Sequence, residues 1–211
     1  MLKLYYAPGA CSLVAHVALE ETGAPFETMR INLAGGEQRL PAYLAVNPRG
    51  RVPTLITDTG VVLENIAILS YIAMRFRDAR LLPFQDLAQM ARAYELMSWF
   101  ASGVQVSFSQ IFRSERFTDD EEAKSHLKED GRKRCATAFG EIDGIAASGR
   151  WMLGDTYSVL DPFALVLWRW GQRIGLDASA YPAFFAHTED VLRRPAVVRV
   201  LERESAQAAN G

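Results

Sequence analysis

Tyr6-Ala7-Pro8-Gly9-Ala10-Cys11-Ser12 is the stretch whose reading decides the fold. Before it, residues 2–6 form a short apolar and aromatic run, read as a buried strand. After it, Ser12 is placed to cap a helix reaching Thr22, with Val14, Val17 and Ala18 on one face and Gly23 as the stop. A lone cysteine therefore stands where a strand ends and a helix begins. Working outward, Met29, Ile31 and Leu33 alternate with Thr28, Arg30 and Asn32, which predicts a second strand, broken by Gly35-Gly36. A short helix is expected over residues 41–46, stopped by Asn47-Pro48-Arg49-Gly50. Residues 53–57 and 61–63 read as two strands joined by a tight turn at Asp58-Thr59-Gly60. Ile66, Leu69, Ile72, Ala73 and Phe76 then recur at helical spacing. The order is βαβ followed by αββα, which suggests a thioredoxin-like α/β domain over residues 1–78.

After Leu81-Leu82-Pro83 the strand signals vanish, and the composition shift near residues 78–86 marks a boundary. Residues 87–205 read as a second, all-helical domain. One long helical pattern covers residues 87–112, with a bend expected near Gly103. Thr118-Asp119-Asp120-Glu121 has the form of a capping box, and Ser158-Val159-Leu160-Asp161 is another. The second opens a strongly apolar helix through Trp168 and Ile174. Residues 181–192 and 196–205 complete the set around Arg193-Arg194-Pro195, and residues 206–211 are expected to fray.

The 211 residues are 49% hydrophobic and 23% charged, enough apolar material for a packed core. The net charge of −2 comes with no long basic run, so nucleic acid is not the expected partner. No apolar stretch nears membrane-spanning length and no signal-peptide pattern opens the chain, so the cytoplasm is the expected location and no membrane partner is expected. Two cysteines, Cys11 and Cys135, are too few for a disulfide scaffold. His16, His126 and His187 are scattered, so no metal is expected.

Three groups carry the chemistry. A helix N-terminus offers unpaired N–H groups and partial positive charge, which favour a thiolate on the protein or on a ligand; Cys11 sits there. With Val14 three residues on, no Cys-x-x-Cys pair exists, which argues against dithiol redox cycling. Pro53 opens a strand, in cis or in trans; a cis bond would turn the Val52 backbone outward to pair with an extended peptide. Glu64 and Asn65 precede a helix, as caps or as partners for a ligand ammonium and carboxylate. Together these outline a site for a small, charged thiol peptide. Cys135 falls on a core stripe and reads as structural.

These residues resemble a cytosolic glutathione transferase, and among those the bacterial beta class. Tyr6, Pro8, Gly9, Cys11 and Ser12 match that class's opening motif. Asn47-Pro48-Arg49-Gly50-Arg51-Val52-Pro53 matches the loop before its cis-proline, and Gly154-Asp155 with Ser158 and Asp161 matches its helical-domain capping motif. The resemblance spans nearly the whole chain. It implies a detoxifying homodimer with glutathione as co-substrate, bound along the domain cleft and directed at a hydrophobic electrophile or a disulfide. Cys11 resembles the residue that meets the glutathione sulfur, with Ser12 and Tyr6 as competing hydroxyls. Val52, before Pro53, resembles the residue whose backbone pairs with the cysteinyl part, and Glu64 the acid near the γ-glutamyl group. Asn65 stands where a small hydroxyl residue or glycine is usual. Ser102 matches the class, whereas Ser98, Gln105 and Val106 replace asparagine, histidine and lysine. No lysine stands near residues 35–38, leaving Arg39 for the glycine carboxylate. Val14, Ala15 and His16 replace the early arginine of the isomerase relatives. The competing readings are a thiol–disulfide oxidoreductase using Cys11 and a non-catalytic binding protein on the same fold.

Overall fold

The computed structural model describes residues 1–209. Strand β1 (Leu2–Tyr6) leads through α1 (Leu13–Glu21) to β2 (Phe26–Arg30), a βαβ beginning in which β1 and β2 run parallel. The short α2 (Pro41–Leu44) precedes β3 (Thr54–Thr57), β4 (Gly60–Leu63) and α3 (Asn65–Arg75). β3 pairs antiparallel with β1 and with β4, giving a four-stranded mixed sheet in the order β2-β1-β3-β4. This is the thioredoxin-like domain the sequence predicts.

Two local readings change. The alternation predicts a strand over residues 28–33, but β2 ends at Arg30; within it Phe26, Thr28 and Arg30 are half-buried while Glu27 and Met29 are exposed, and Ile31 is buried just beyond it. The inward face is covered by the last helix, α9 (Pro195–Ala209): the Arg30 guanidinium donates to the Gln207 carbonyl at 2.8 Å, and Arg203 lies over the Phe26 ring. The same helix explains α1. Its apolar pattern predicts one buried face, yet every residue from Leu13 to Leu19 is buried, His16 included. α3 packs on α1, and so does α9. Each fully buried Leu or Val there stabilises the fold by about 1.5–3 kcal/mol.

The chain from Leu192 thus groups with residues 1–82 rather than with the helical unit, Pro83–Val191. The sequence pattern assigns the last helix to the helical domain by proximity along the chain; packing assigns it to the first. Of the tail expected to fray, 206–209 continue α9, while 210 and 211 lie outside the described residues.

Within the helical unit, α4 (Leu87–Trp99) and α5 (Gln105–Phe112) are joined by a π-helical segment, Phe100–Val104, which contains Gly103 and accounts for the expected irregularity. α6 (Glu121–Ala146) crosses α5 closely, and a Cβ at Gly131 would stand 2.8 Å from the Ser107 carbonyl. α7 (Leu160–Arg173) is buried from Leu160 to Trp168, and α8 (Pro182–Leu192) follows it. The Thr118 capping box does not form: α6 is capped by Asp120, whose carboxylate accepts from the Ala123 N–H at 2.7 Å. The Thr118 hydroxyl instead accepts from the Asp120 N–H. The box at Ser158 does form, with the Ser158 N–H on Asp161 Oδ2 at 2.7 Å and the Leu160 N–H on Ser158 Oγ at 3.2 Å.

Candidate functional site

The turn from Ala7 to Ser12 is built by its own residues. The Ala10 N–H reaches the Ala7 carbonyl, and Gly9 adopts φ +71°, a left-handed conformation that glycine takes without steric cost. Ser12 was expected to cap α1, but its hydroxyl turns back, accepting from the Ala7 N–H at 3.1 Å and donating to the Ala7 carbonyl at 3.2 Å. This buried clamp orders the turn and occupies Ser12. Tyr6 is fully buried, and its hydroxyl donates to the Gln207 side chain. Of the three sulfur candidates, Cys11 keeps partial exposure.

The Val52–Pro53 bond is cis. The preceding loop is pinned from below: the Tyr43 hydroxyl donates to the Arg51 carbonyl at 2.6 Å, and the Asn47 amide donates to that carbonyl and to Thr54 Oγ1. Cys11 meets this loop, its thiol donating to the Val52 carbonyl at 3.5 Å. From the other side the Asn65 amide donates to the Cys11 carbonyl at 3.0 Å, while Asn65 Oδ1 is buried without a hydrogen-bond partner. Asn65 therefore ties the start of α3 to the cysteine turn. Glu64, at φ +70°, ends the preceding strand with an exposed carboxylate 2.5 Å from the Arg49 guanidinium. Hydrogen bonds thus tie Cys11 to Val52 and to Asn65, with Ser12, Pro53 and Glu64 as their neighbours along the chain. Arg39 is exposed.

The electrostatics reverse one expectation. Cys11 was read as a group whose thiolate is favoured. Desolvation instead pushes its thiol up to about 11, although the residue as a whole is only half-buried; its own backbone N–H opposes this and the Glu64 charge adds to it. α1 begins at Leu13, so Cys11 lies before its first turn, and its S–H already has an acceptor. Burial likewise pushes Cys135, on α6, up to about 12. Tyr6 is raised first by burial and then by Glu204.

In the helical unit, Ser102 lies in the π-helical segment and donates to the Ser98 carbonyl at 2.7 Å. Gln105 opens α5 with its side-chain nitrogen buried and unpartnered, and Val106 is exposed. Sequence reasoning missed His16, Arg203, Glu204 and Gln207. Glu204 Oε1 is 3.0 Å from His16 Nδ1, and Oε2 accepts from the Gly9 N–H at 3.3 Å. No local signal reveals these contacts, because their partners are about two hundred residues apart in the chain. Among the described residues no three His, Cys, Asp or Glu side chains gather as a metal site, and no helix is long and apolar enough to cross a membrane.

A thioredoxin-like domain with a half-exposed cysteine beside a cis-proline loop defines a class, and comparison with known proteins agrees. Residues 1–74 match the family described as the glutathione S-transferase N-terminal domain. Over 206 residues the chain is 30% identical to glutathione S-transferase GST-4.5 of Xanthomonas campestris pv. campestris, covering 96% of this chain and 98% of that protein. The chain belongs to the glutathione S-transferase family. A glutathione transferase homologue from Sulfitobacter, solved with bound glutathione, superposes with a TM-score of 0.92 at 29% identity, covering 96% of this chain and 98% of that one. A bacterial beta class enzyme from Sphingomonas chungbukensis superposes with a TM-score of 0.84 at 34% identity, over 96% and 98%.

Proposed function

We propose that this protein is a glutathione-dependent transferase that binds glutathione on the Cys11, Val52 and Glu64 group and directs its sulfur onto a hydrophobic electrophile. The observation that carries this reading is the Cys11 thiol, half-exposed and hydrogen-bonded to the carbonyl before cis-Pro53. The cysteinyl N–H of glutathione seeks that carbonyl and displaces the thiol from it. The freed S–H donates to the glutathione sulfur and favours its thiolate, the glutathione proton passing to water. The thiolate forms a bond to the electrophilic carbon, and the leaving group departs with its electron pair. Glu64 takes the ligand ammonium, which replaces the Arg49 guanidinium. Asn65 acts by holding the Cys11 turn, a different task from the carboxylate contact first expected of it.

The mechanism assigns no step to Tyr6 or Ser12, whose hydroxyls have partners, nor to Ser102 or Gln105 of the helical unit. The proton held on Cys11 disfavours exchange started by Cys11 itself, since the attacking group must be a thiolate. The sequence departures at Gln105 and Val106 remain a reason for slow conjugation, because neither side chain carries charge to stabilise an aromatic anion. A cytoplasmic homodimer completes the proposal. Light scattering should find twice the chain mass, and a clean monomer at micromolar concentration removes that part.

Calorimetry with glutathione, followed by conjugation and disulfide-exchange assays on Cys11→Ala, tests the reading. Wild type should bind glutathione and conjugate a chloronitrobenzene slowly, and Cys11→Ala should lose about tenfold in kcat/KM, the worth of one hydrogen bond to a charged sulfur. No glutathione binding would support the non-catalytic alternative. Fast, Cys11-dependent disulfide exchange at neutral pH would support the oxidoreductase.

A further inference from the structure

The cysteine turn is held by the far end of the chain. In α9, Glu204 is almost wholly buried, and both its oxygens are used: Oε1 meets His16 Nδ1 at 3.0 Å and Oε2 accepts from the Gly9 N–H at 3.3 Å. Gly9 lies two residues before Cys11. On the other edge of the ring, Arg203 Nη1 is 3.3 Å from His16 Nε2. A guanidinium only donates, so Nε2 must accept, and the imidazole carries its proton on Nδ1, toward Glu204. Glu204 therefore faces two donors and must supply two acceptors. Gln207, one turn further along, takes the Tyr6 hydroxyl at the end of β1, and its carbonyl takes Arg30. Around this core Arg194 pairs with Glu21, and Arg199 with Glu20, at the far end of α1.

We propose that Glu204 is a positioning residue for Cys11: through Gly9 and His16 it makes the C-terminal helix set the exposure of the thiol and the affinity for glutathione. The inference rests on the proposed glutathione site in its second half, while the first half concerns the thiol alone. Losing Glu204 removes this one hold on the turn, whose Ser12 and Asn65 contacts stay, and loosens the contact of Cys11 with Val52. Glutamine cannot substitute fully, because its –NH2 must face one of the two donors. Removing Arg203 lifts that conflict: the ring is then free to move its proton to Nε2, Nδ1 accepts from the glutamine –NH2, and the glutamine oxygen accepts from Gly9.

The test measures iodoacetamide labelling of Cys11 by peptide mapping, with Cys135 as internal reference, and glutathione affinity by calorimetry. Glu204→Ala should label about fivefold faster and bind glutathione about fivefold more weakly, as the loss of one hydrogen bond implies. Glu204→Gln should fall between, and the double variant Glu204→Gln with Arg203→Ala should return both readouts toward wild type. Arg199→Ala, which loosens the helix without touching Glu204, should leave both unchanged. A merely structural contact would lower the melting temperature in every case and give no rescue. Wild-type labelling in folded Glu204→Ala overturns the proposal. If that variant does not fold, equal labelling by Glu204→Gln and the rescued double variant overturns it. If wild type itself fails to bind glutathione, the functional proposal falls and the labelling series still decides the role of Glu204.

Discussion

Among the described residues two buried histidine–carboxylate pairs stand out, one in each unit, and they do different work. His16–Glu204 joins α1 to α9, and His187–Asp161 joins α8 to the start of α7. Their lengths are similar, 3.0 and 2.8 Å, and both are almost inaccessible to solvent. The difference lies in what else the carboxylate touches. Asp161 accepts from two backbone N–H groups, Met152 at 2.8 Å and Ser158 at 2.7 Å, both within nine residues of it. It closes a local knot at the start of α7. Glu204 accepts from one backbone N–H, that of Gly9, far away in the chain and two residues before Cys11. The same chemical pair thus welds a fold in one unit and trims a site in the other. The number and locality of backbone donors separate the two roles.

Asp161→Ala should give the largest effect. It strands two backbone N–H groups and a histidine in the core, and breaking a buried pair of this kind costs about 3–5 kcal/mol. Urea melts should show that loss, and the folded fraction should keep wild-type Cys11 labelling. Faster labelling in this variant would erase the contrast between the two pairs.

A third carboxylate, Glu64, sharpens the comparison because it is exposed and sits at φ +70°. Its backbone is strained and its charge faces solvent, so fold and site should respond with opposite signs. Glu64→Gly should weaken glutathione binding about tenfold by calorimetry, the loss of one charge-assisted contact. It should also hold or raise stability by up to about 1 kcal/mol as the strain is released. A large stability loss with unchanged affinity would place Glu64 with Asp161, among the carboxylates that serve the fold.

The Cys11 thiol gives a smaller, pH-dependent signal. Its folded value, about 11, lies above the ordinary 9.0, as does that of Cys135 at about 12. Between those values the folded state holds protons that the unfolded state has released. The stabilising contribution is therefore full below pH 9 and is lost as pH rises through 11 and 12. Labelling of Cys11 should climb with pH well past the free-thiol midpoint. A plateau near pH 8 would show a thiolate already favoured and would return weight to the oxidoreductase reading.

The smallest effect should come from Arg49→Ala. Its pair with Glu64 is exposed on both sides, so stability should be unchanged in a thermal melt. Glutathione affinity should hold or rise about twofold, since the ligand ammonium no longer competes with the guanidinium. A clear loss of affinity would make Arg49 a ligand contact.

What was legible in the sequence was whatever depends on neighbours along the chain. The strand-turn-helix at Tyr6 to Ser12, the Asn47 to Pro53 loop, the Ser158 box and the change from strands to helices after Leu82 follow from periodicity and turn chemistry, and each is found in the structure. The gathering of Cys11, Val52 and Glu64 was reachable through the family resemblance, because their order along the chain matches its motifs, whereas Asn65 departs from them. Tertiary structure alone decided the rest. The cis state of Val52–Pro53 is a small free-energy choice settled by packing. The face of β2, the wholly buried α1 and the partners of Tyr6 and His16 depend on where α9 lands, and a helix's docking place is a long-range contact with no periodic trace. The proton on Cys11 was decided in the same way: position in the chain suggested a thiolate, and desolvation by the surrounding fold outweighs the backbone N–H groups of Cys11 and Ser12.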